Sequence, residues 1–193
     1  HPAIPISMDR ETRHMFVLGS VGGGKTVMIS SIIAQARCRG DRMMIHDSKG
    51  DSTAQLPGEI TLFAPWDRRS HAWDIGSDVL DKGDARTVSA RLIPDSSDPM
   101  WSNGSRQILA ALICYCQSEY GTRWGFGELA ALVGIEFEQL QQIVRKFMPE
   151  AIRTVEELNK TSQSFLVQLG AYMSPIFDLA AAWDGRPRFS FRR

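Results

Sequence analysis

The stretch GSVGGGKT, residues 19–26, decides the fold that we predict for this chain. It lies between a short apolar run, residues 14–18, and a longer segment, residues 27–36, whose apolar side chains recur at helical spacing. A strand followed by a glycine-rich turn and a helix is the setting in which a loop of this composition binds phosphate. The sequence therefore predicts a phosphate-binding loop at residues 19–26.

The residue types in this loop explain how it would hold a nucleotide. Glycines let the backbone curl so that successive N–H groups point into one concavity, and the following helix adds the positive end of its dipole. Lys25 is expected to contact the β- and γ-phosphates of ATP or ADP, and Thr26 to ligate the Mg²⁺ that bridges them, so these two are the predicted catalytic residues. The predicted nucleotide-binding residues are Gly19, Ser20, Val21, Gly22, Gly23, Gly24, Lys25 and Thr26. A ligand-free glycine turn is the weaker interpretation, because both flanks also fit.

Composition narrows the classes of protein to which the chain can belong. Its 193 residues, 43% of them hydrophobic, suffice for a core in one large domain or two small ones. Equal numbers of basic and acidic side chains, 22 each, argue against a free-standing nucleic-acid binder with a strongly basic face. Three cysteines without metal-ligand spacing indicate a reducing compartment. No uninterrupted apolar run approaches the roughly 20 residues of a membrane helix.

Strand-like and helical patterns occupy different parts of the chain. Apolar runs at residues 14–18, 42–46 and 60–63 predict three strands, and the helix between the first two makes a βαβ unit with a parallel sheet. From residue 77 onward the apolar spacing is helical, and the later helices are predicted at residues 105–118, 127–133, 137–148, 151–158 and 162–183. We predict an α/β nucleotide-binding core at residues 1–76, an all-α domain at 77–184 and a segment at 185–193 that returns to the core.

A second polar group follows the second predicted strand. Asp47, Lys49 and Asp51 would lie at the edge where open α/β sheets bind their ligands. A role near the nucleotide or at a subunit interface competes there with a local turn that contains ion pairs.

Two further patterns allow a nucleic-acid interpretation. Trp66, Trp73 and Trp101 can stack on bases or on adenine, although buried anchors of a domain junction are favoured. Residues 127–140 have the spacing of a helix-turn-helix, but Glu136 and Glu138 at the start of its second helix would repel phosphate. Packed helices are therefore the preferred interpretation of that segment.

Four stretches together resemble one protein family. They are residues 5–14, the loop at 19–26, DSKGD at 47–51 and FAPWDRRSHAWD at 63–74. They are similar to the coupling proteins of bacterial conjugation and type IV secretion, which are the TraD/TraG-like members of the FtsK/HerA group of P-loop ATPases. That family typically shows D-P-K-G-E and N-P-x-D-x-R-S-x-x-W-N at the last two places. The chain differs at Ser48, Asp51, Ala64 and Asp74, which suggests a divergent subfamily.

The resemblance implies a P-loop NTPase fold of the RecA/FtsK-like class, an α/β fold with a partial parallel sheet and an inserted all-α domain. It also implies that the chain is a fragment of a longer ATPase that recruits DNA or secreted protein and drives it into the secretion channel. Such proteins form homo-hexamers at the cytoplasmic face of the bacterial inner membrane and contact other components of the secretion system. The fragment itself is expected to be soluble.

The resemblance also places part of the hydrolytic machinery outside this chain. The Walker B carboxylates and the sensor and arginine residues are expected beyond Arg193. Two apolar runs here end in aspartate, residues 43–47 and 179–184. In the first, Ser48 stands where the catalytic glutamate would be, and in the second the alanines favour helix. The chain is therefore predicted to bind ATP without a complete apparatus for hydrolysing it.

Two other functions stand beside secretion coupling. The parent could be an FtsK/HerA-like DNA translocase of another pathway, although the length of the helical part favours coupling. Alternatively, the helical half could be a non-catalytic receptor for substrate or adaptor proteins.

Overall fold

The computed structural model of the chain describes residues 8–11, 13–56 and 58–192. Residues 5–7 and 12 of the predicted stretch 5–14, and residues 1–4 of the predicted domain, lie outside the described residues. The chain divides into two compact units between Glu59 and Ile60. The domain limits at residues 76 and 184 remain predictions.

The first unit contains the helix predicted after the glycine loop. Its helices are α1 (Met8–Glu11), α2 (Lys25–Cys38) and α3 (Asp51–Gln55). α2 ends close to a glycine, Gly40, which adopts φ +78° just beyond the last turn. There Gly40 N–H donates to Arg37 O at 2.9 Å and Asp41 N–H donates to Ala36 O at 3.0 Å. These two bonds satisfy carbonyls that the helix end would otherwise leave without partners.

The predicted parallel sheet is not formed by the described residues of this unit. Residues 14–18 and 42–46, like residues 60–63 of the second unit, have no strand partner. Their apolar side chains are accordingly uncovered, with Phe16 85%, Leu18 78% and Met44 81% exposed. A strand is defined by its neighbours, since its backbone groups pair only with another strand. The apolar runs predicted three strands. The described residues of these segments do not hydrogen-bond to one another as strands, so the predicted sheet is absent from this part of the chain.

The second unit is a helical bundle with a small sheet. Its elements are β1 (Ala72–Trp73), α4 (Ile75–Asp78), α5 (Lys82–Leu92), α6 (Pro99–Tyr120), α7 (Phe126–Val133), α8 (Phe137–Phe147), a 3₁₀ helix (Pro149–Thr154), α9 (Lys160–Trp183) and β2 (Arg188–Phe189). The predicted helical character from residue 77 onward is confirmed. The helix predicted at residues 151–158 is wrong in type and bounds, because a short 3₁₀ helix occupies residues 149–154.

The core of the second unit surrounds α6. Asp98 accepts a hydrogen bond from Met100 N–H at 3.0 Å and Pro99 opens the helix, which are both favourable N-terminal signals. Farther along, Ile108, Leu112 and Cys116 are fully buried. α6 contacts α5, α7, α8 and α9, so it is the central helix of the bundle.

α9 is the longest helix of the described chain. By length and composition it is the one described helix that could cross a membrane. Its buried side chains, which include Phe165, Leu169, Met173 and Ile176, belong to the core cluster shared with α6 and α7. This packing accounts for an apolar face on a core helix.

The two ends of the helical segment are joined by the sheet. β1 and β2 pair in parallel, with Ala72 opposite Arg188 and Trp73 opposite Phe189. Ala72 N–H donates to Pro187 O and Asp74 N–H donates to Phe189 O, both at 2.9 Å. The segment predicted to return after residue 184 therefore returns to residues 72–74 and belongs to the same compact unit.

Candidate nucleotide-binding site

The glycine loop curls between residue 18 and the first turn of α2. Gly22 and Gly24 have φ of +80° and +79°, a region that side chains with a Cβ rarely adopt. Gly23 N–H donates to Ser20 O at 3.1 Å and closes the turn. The loop is exposed, including the Val21 side chain, except for Lys25, which is half-buried. The sequence positions of the glycines thus match the backbone conformations that require them.

The Lys25 ammonium lies within this curl. Its Nζ donates to Gly19 O at 2.7 Å and to Ser20 O at 2.6 Å. An ammonium has three donors, so this arrangement places a positive charge at the loop while leaving one donor for a further acceptor. The Thr26 hydroxyl is exposed and has no hydrogen-bond partner among the described residues.

The start of α2 adds backbone donors to the same place. Met28 N–H makes the first helical bond, to Gly24 O at 3.1 Å, so the preceding amides of the first turn have no helical acceptor. Gly24 provides no side-chain cap, and the first turn carries no acidic residue. Unpaired amides, the helix dipole and Lys25 are groups that suit the phosphates of a nucleotide, and the Thr26 hydroxyl is a group that would suit an accompanying Mg²⁺. Both roles remain predictions.

Asp47 has a local structural role in this unit. Its carboxylate accepts bonds from Gly50 N–H at 2.9 Å, Thr53 N–H at 2.8 Å and Thr53 Oγ1 at 2.9 Å. The bond from the Thr53 amide is the main cause that lowers the pKa of Asp47 below its usual value, against the opposing effect of burial. Lys49 and Asp51 are exposed, and neither side chain has a partner among the described residues. Asp47 therefore stabilises a local turn, which is one of the two alternatives that the sequence allowed. A role of Asp47, Lys49 or Asp51 near the nucleotide or at a subunit interface remains a prediction.

A family model described as the type IV secretion-system coupling protein DNA-binding domain matches residues 1–193. The chain belongs to this family. Coupling protein TraD of Escherichia coli (strain K12) is 29% identical to it over 177 residues, which are 90% of this chain and 24% of TraD. The family predicted from the loop and from the motifs at residues 47–51 and 63–74 is thereby confirmed.

Solved structures of a bacterial conjugative coupling protein share the fold of this chain. The unbound monoclinic form of TrwBdeltaN70 has a TM-score of 0.67 at 20% identity and covers 90% of this chain and 40% of its own. Plasmid coupling protein TrwB in complex with the non-hydrolysable GTP analogue GDPNP has a TM-score of 0.67 at 21% identity and covers 90% of this chain and 42% of its own. The coupling-protein fold class is confirmed, although the described residues are mostly helical and pair only two short strands.

The structure shows the surroundings of the other residues that the sequence singled out, namely the tryptophans, residues 179–183 and the helices at residues 127–140. Trp73 packs on Phe126 at 6.0 Å between ring centroids and Trp101 packs on Phe165 at 5.0 Å, so both are anchors, as favoured. Trp66 is 87% exposed, which the anchor interpretation did not predict. Residues 179–183 are helical, as the alanines indicated. α7 and α8 bury Leu129 and Val144 in the core, so the two helices are packed, and the expectation that they do not read DNA stays a prediction.

Sequence reasoning missed two polar residues that organise the second unit. Buried Ser70 accepts bonds from Ala64 N–H at 3.0 Å and Trp183 Nε1 at 3.2 Å. Asp78 accepts a bond from Trp73 Nε1 at 2.6 Å and others from Ser190 Oγ and from the amides of Phe191 and Arg192. The R-S-x-x-W pattern around Ser70 carried a signal, whereas nothing near Asp78 in the sequence marked its distant partners.

Proposed function

We propose that this chain is the nucleotide-binding part of a conjugation or type IV secretion coupling ATPase. The observation that carries the proposal is the Lys25 ammonium held inside a left-handed glycine loop at the uncapped N-terminus of α2. Membership of the coupling-protein family supports it, and so does the TrwB complex with a GTP analogue. The chain covers 24% of TraD, so the activity of the whole protein belongs to the proposal.

In the proposed site, the loop amides and the first turn of α2 bind the phosphate oxygens. Lys25 transfers its donors from Gly19 O and Ser20 O to the β- and γ-phosphates, and Thr26 presents its hydroxyl to Mg²⁺. The metal supplies neutralisation of charge between the phosphates when it is bound. Lys25 and Thr26 orient the nucleotide, and the carboxylates that activate water come from other parts of the parent protein.

The parent is proposed to form a homo-hexameric ring at the cytoplasmic face of the bacterial inner membrane. There it would use ATP to recruit DNA or secreted protein and to drive it into the channel, in contact with other secretion components. Family membership supports this role over that of a DNA translocase in another pathway.

A second function is favoured by the separate core of the helical unit. Residues 60–193 form their own compact unit around α6. Such a unit could act as a receptor for substrate or adaptor proteins while the chain itself turns over no nucleotide. This role is compatible with nucleotide binding in the first unit.

The nucleotide site is tested by titrating the chain with a fluorescent ATP analogue in the presence of Mg²⁺. We expect Lys25→Ala to abolish measurable binding, since losing two charge-assisted bonds of about 1.5 kcal/mol each weakens binding by about a hundredfold or more. Lys160→Ala, at the exposed start of α9, is the matched lysine control and should leave the affinity unchanged.

Thr26→Ala distinguishes the contribution of the metal to nucleotide affinity from that of the phosphate contacts. We expect this variant to bind nucleotide with an affinity that no longer rises when Mg²⁺ is added. Unchanged affinity in Lys25→Ala would contradict the assignment of the site to this loop.

A further inference from the structure

The turn at residues 64–70 is built as a rigid platform. Asp67 N–H donates to Ala64 O at 2.7 Å, and Ser70 N–H donates to Asp67 O at 3.1 Å. At its base the Ser70 hydroxyl is buried and accepts bonds from Ala64 N–H and Trp183 Nε1. Arg186 adds a bond from its guanidinium to Arg68 O. The turn is therefore fixed both within itself and to the end of α9.

Trp66 extends from this fixed turn into solvent. Its side chain is 87% exposed, whereas Trp124 is fully buried and the other tryptophans are partly buried against the core. Leaving so large an aromatic surface in water on a rigid turn forfeits the free energy that its burial would release. Because the backbone of the turn is fixed, a flat partner that stacks on the indole has only the rotamers of this one side chain to immobilise.

Positively charged side chains lie on the same turn as Trp66 and beside the carboxylate of that turn. Arg68 and Arg69 are exposed, and Arg186 lies close enough to act on the carboxylate of Asp67. The hydrogen bond from the Arg69 side chain is the main cause that lowers the pKa of Asp67 to about 2, so Asp67 remains ionised at neutral pH. Three arginines against one carboxylate leave this turn positive on a chain whose formal charge is zero.

We propose that Trp66 and the arginines Arg68, Arg69 and Arg186 form a contact site for single-stranded nucleic acid. The indole would stack on one unpaired base while the guanidinium groups contact the adjoining phosphates. Duplex bases are already stacked on one another, so the ring selects single strands. The inference rests on the proposed function in one respect, namely that DNA is a substrate of the parent.

The observations favour nucleic acid over a protein partner for this site. A docking surface for a protein usually has a larger apolar centre from which charged residues are depleted. Here one exposed ring stands on a turn where Arg69 pairs with Asp67 at 2.8 Å, while the exposed Arg68 side chain has no carboxylate partner among the described residues. Both a stacking surface and phosphate ligands are present within a few residues, which is the combination found in sequence-tolerant binders of single strands.

The test is fluorescence anisotropy of a labelled oligothymidylate titrated with the full chain at low salt. We expect Trp66→Ala to weaken binding by about tenfold, the loss of one stacked base, and Trp66→Phe to retain most of the affinity. Arg68→Gln should weaken binding and flatten its dependence on salt. An annealed duplex of the same length should bind more weakly than the single strand.

Matched controls come from exposed residues elsewhere in the same unit. Phe177→Ala removes a partly exposed ring from α9, and Arg153→Ala removes an exposed arginine without a partner among the described residues. Both should leave the affinity unchanged. The tryptophan emission of the unaltered chain should be quenched by the oligonucleotide, and this quenching should be largely lost in Trp66→Phe.

Each contrary result overturns a definite part of the inference. Equal affinity of Trp66→Ala and Phe177→Ala for the oligonucleotide would remove Trp66 from the site. A chain that binds no oligonucleotide at low salt would remove the site altogether. If Trp66→Ala altered the sedimentation coefficient of the chain, and so its self-association, without altering its affinity for the oligonucleotide, the turn would be a protein contact instead. ATP-analogue titration of the same samples reports the proposed nucleotide site independently.

Discussion

The glycines of the loop at residues 19–26 show how single residues decide local geometry. Gly22 and Gly24 adopt left-handed φ values, and Gly24 immediately precedes the first residue of α2. A Cβ built on either would meet no atom within 4 Å, so space does not limit substitution there. Backbone strain does, since a left-handed conformation costs an L-residue about 1–2 kcal/mol.

Gly24→Ala is accordingly expected to weaken ATP-analogue binding by about five- to thirtyfold, as the loop relaxes away from the conformation that directs its amides. The measurement is the titration used for Lys25→Ala, accompanied by a urea melt.

Gly40→Ala is the matched control for this change. Gly40 has φ +78° and is equally unobstructed, but it lies at the opposite end of α2. It should lose similar stability while keeping its nucleotide affinity. Equal loss of affinity in both variants would show that general destabilisation, and not the loop geometry, is responsible.

At the scale of elements, the close packing of α6 on α9 depends on Gly104. A Cβ at this position would lie 2.5 Å from Phe165 Cε1 and 2.7 Å from its Cδ1, both closer than any real contact. Phe165 is buried and packs against Trp101, so its ring has little freedom to move. The absence of a side chain at residue 104 therefore permits the approach of the two helices.

Gly104→Ala is expected to destabilise the chain by about 1–2 kcal/mol, because an overpacking cost of about 1–3 kcal/mol exceeds the gain in helix propensity. The free energy of unfolding in urea, followed by circular dichroism, measures the change.

Gly170→Ala, in the partner helix α9, is expected to change the free energy of unfolding in the opposite direction. No atom lies within 4 Å of a Cβ at Gly170 in α9, so helix propensity alone should stabilise the chain by up to about 1 kcal/mol. Changes of the same sign in both variants would contradict the packing explanation.

The elements also show where sequence patterns suffice. The starts of helices were less exact than their existence. α6 was predicted from residue 105 but begins at Pro99 after its Asp98 cap, and α9 was predicted from residue 162 but begins at Lys160 after its Asn159 cap. The strands at residues 14–18 and 42–46 were predicted from apolar runs, yet the described chain gives them no partner. A helix satisfies its backbone within itself, whereas a strand depends on a distant neighbour. Prediction therefore succeeded for most helices, was wrong in type at residues 151–158, and gave strand segments that the described residues do not pair.

At the scale of the whole second unit, Asp78 joins the segment before the helices to the segment after them. It accepts a bond from Trp73 Nε1 in β1. It also accepts bonds from Ser190 Oγ and from the Phe191 and Arg192 amides, which follow β2. Burial tends to raise the pKa of Asp78, but these hydrogen bonds together hold it below its usual value. Arg192 also pairs with Asp84 at 2.8 Å.

Asp78→Ala is expected to release residues 190–192 from this junction while leaving the core around α6 folded. Losing hydrogen bonds to a charged group costs about 1.5–3 kcal/mol each, so amide exchange at residues 191 and 192 should accelerate by about tenfold or more. Hydrogen exchange followed by mass spectrometry measures this acceleration.

Asp178→Ala is the control for Asp78→Ala. Asp178 is exposed on α9 and has no partner among the described residues. Its substitution should leave exchange at the junction unaltered. Unchanged exchange in Asp78→Ala as well would mean that β1 and β2 hold the junction without the carboxylate.

The sequence by itself determined the glycine loop at residues 19–26, the family and the helical character of residues 77–184. Each of these depends on residues close in the chain: Lys25 bonds carbonyls five and six residues away, and each helix bonds within its own turns. The tertiary structure alone decided that Asp78 meets Ser190 across 112 residues and that Trp66 faces solvent while Trp73 and Trp101 do not. Local patterns specify conformation, but exposure and distant pairing depend on which surfaces the folded chain brings together.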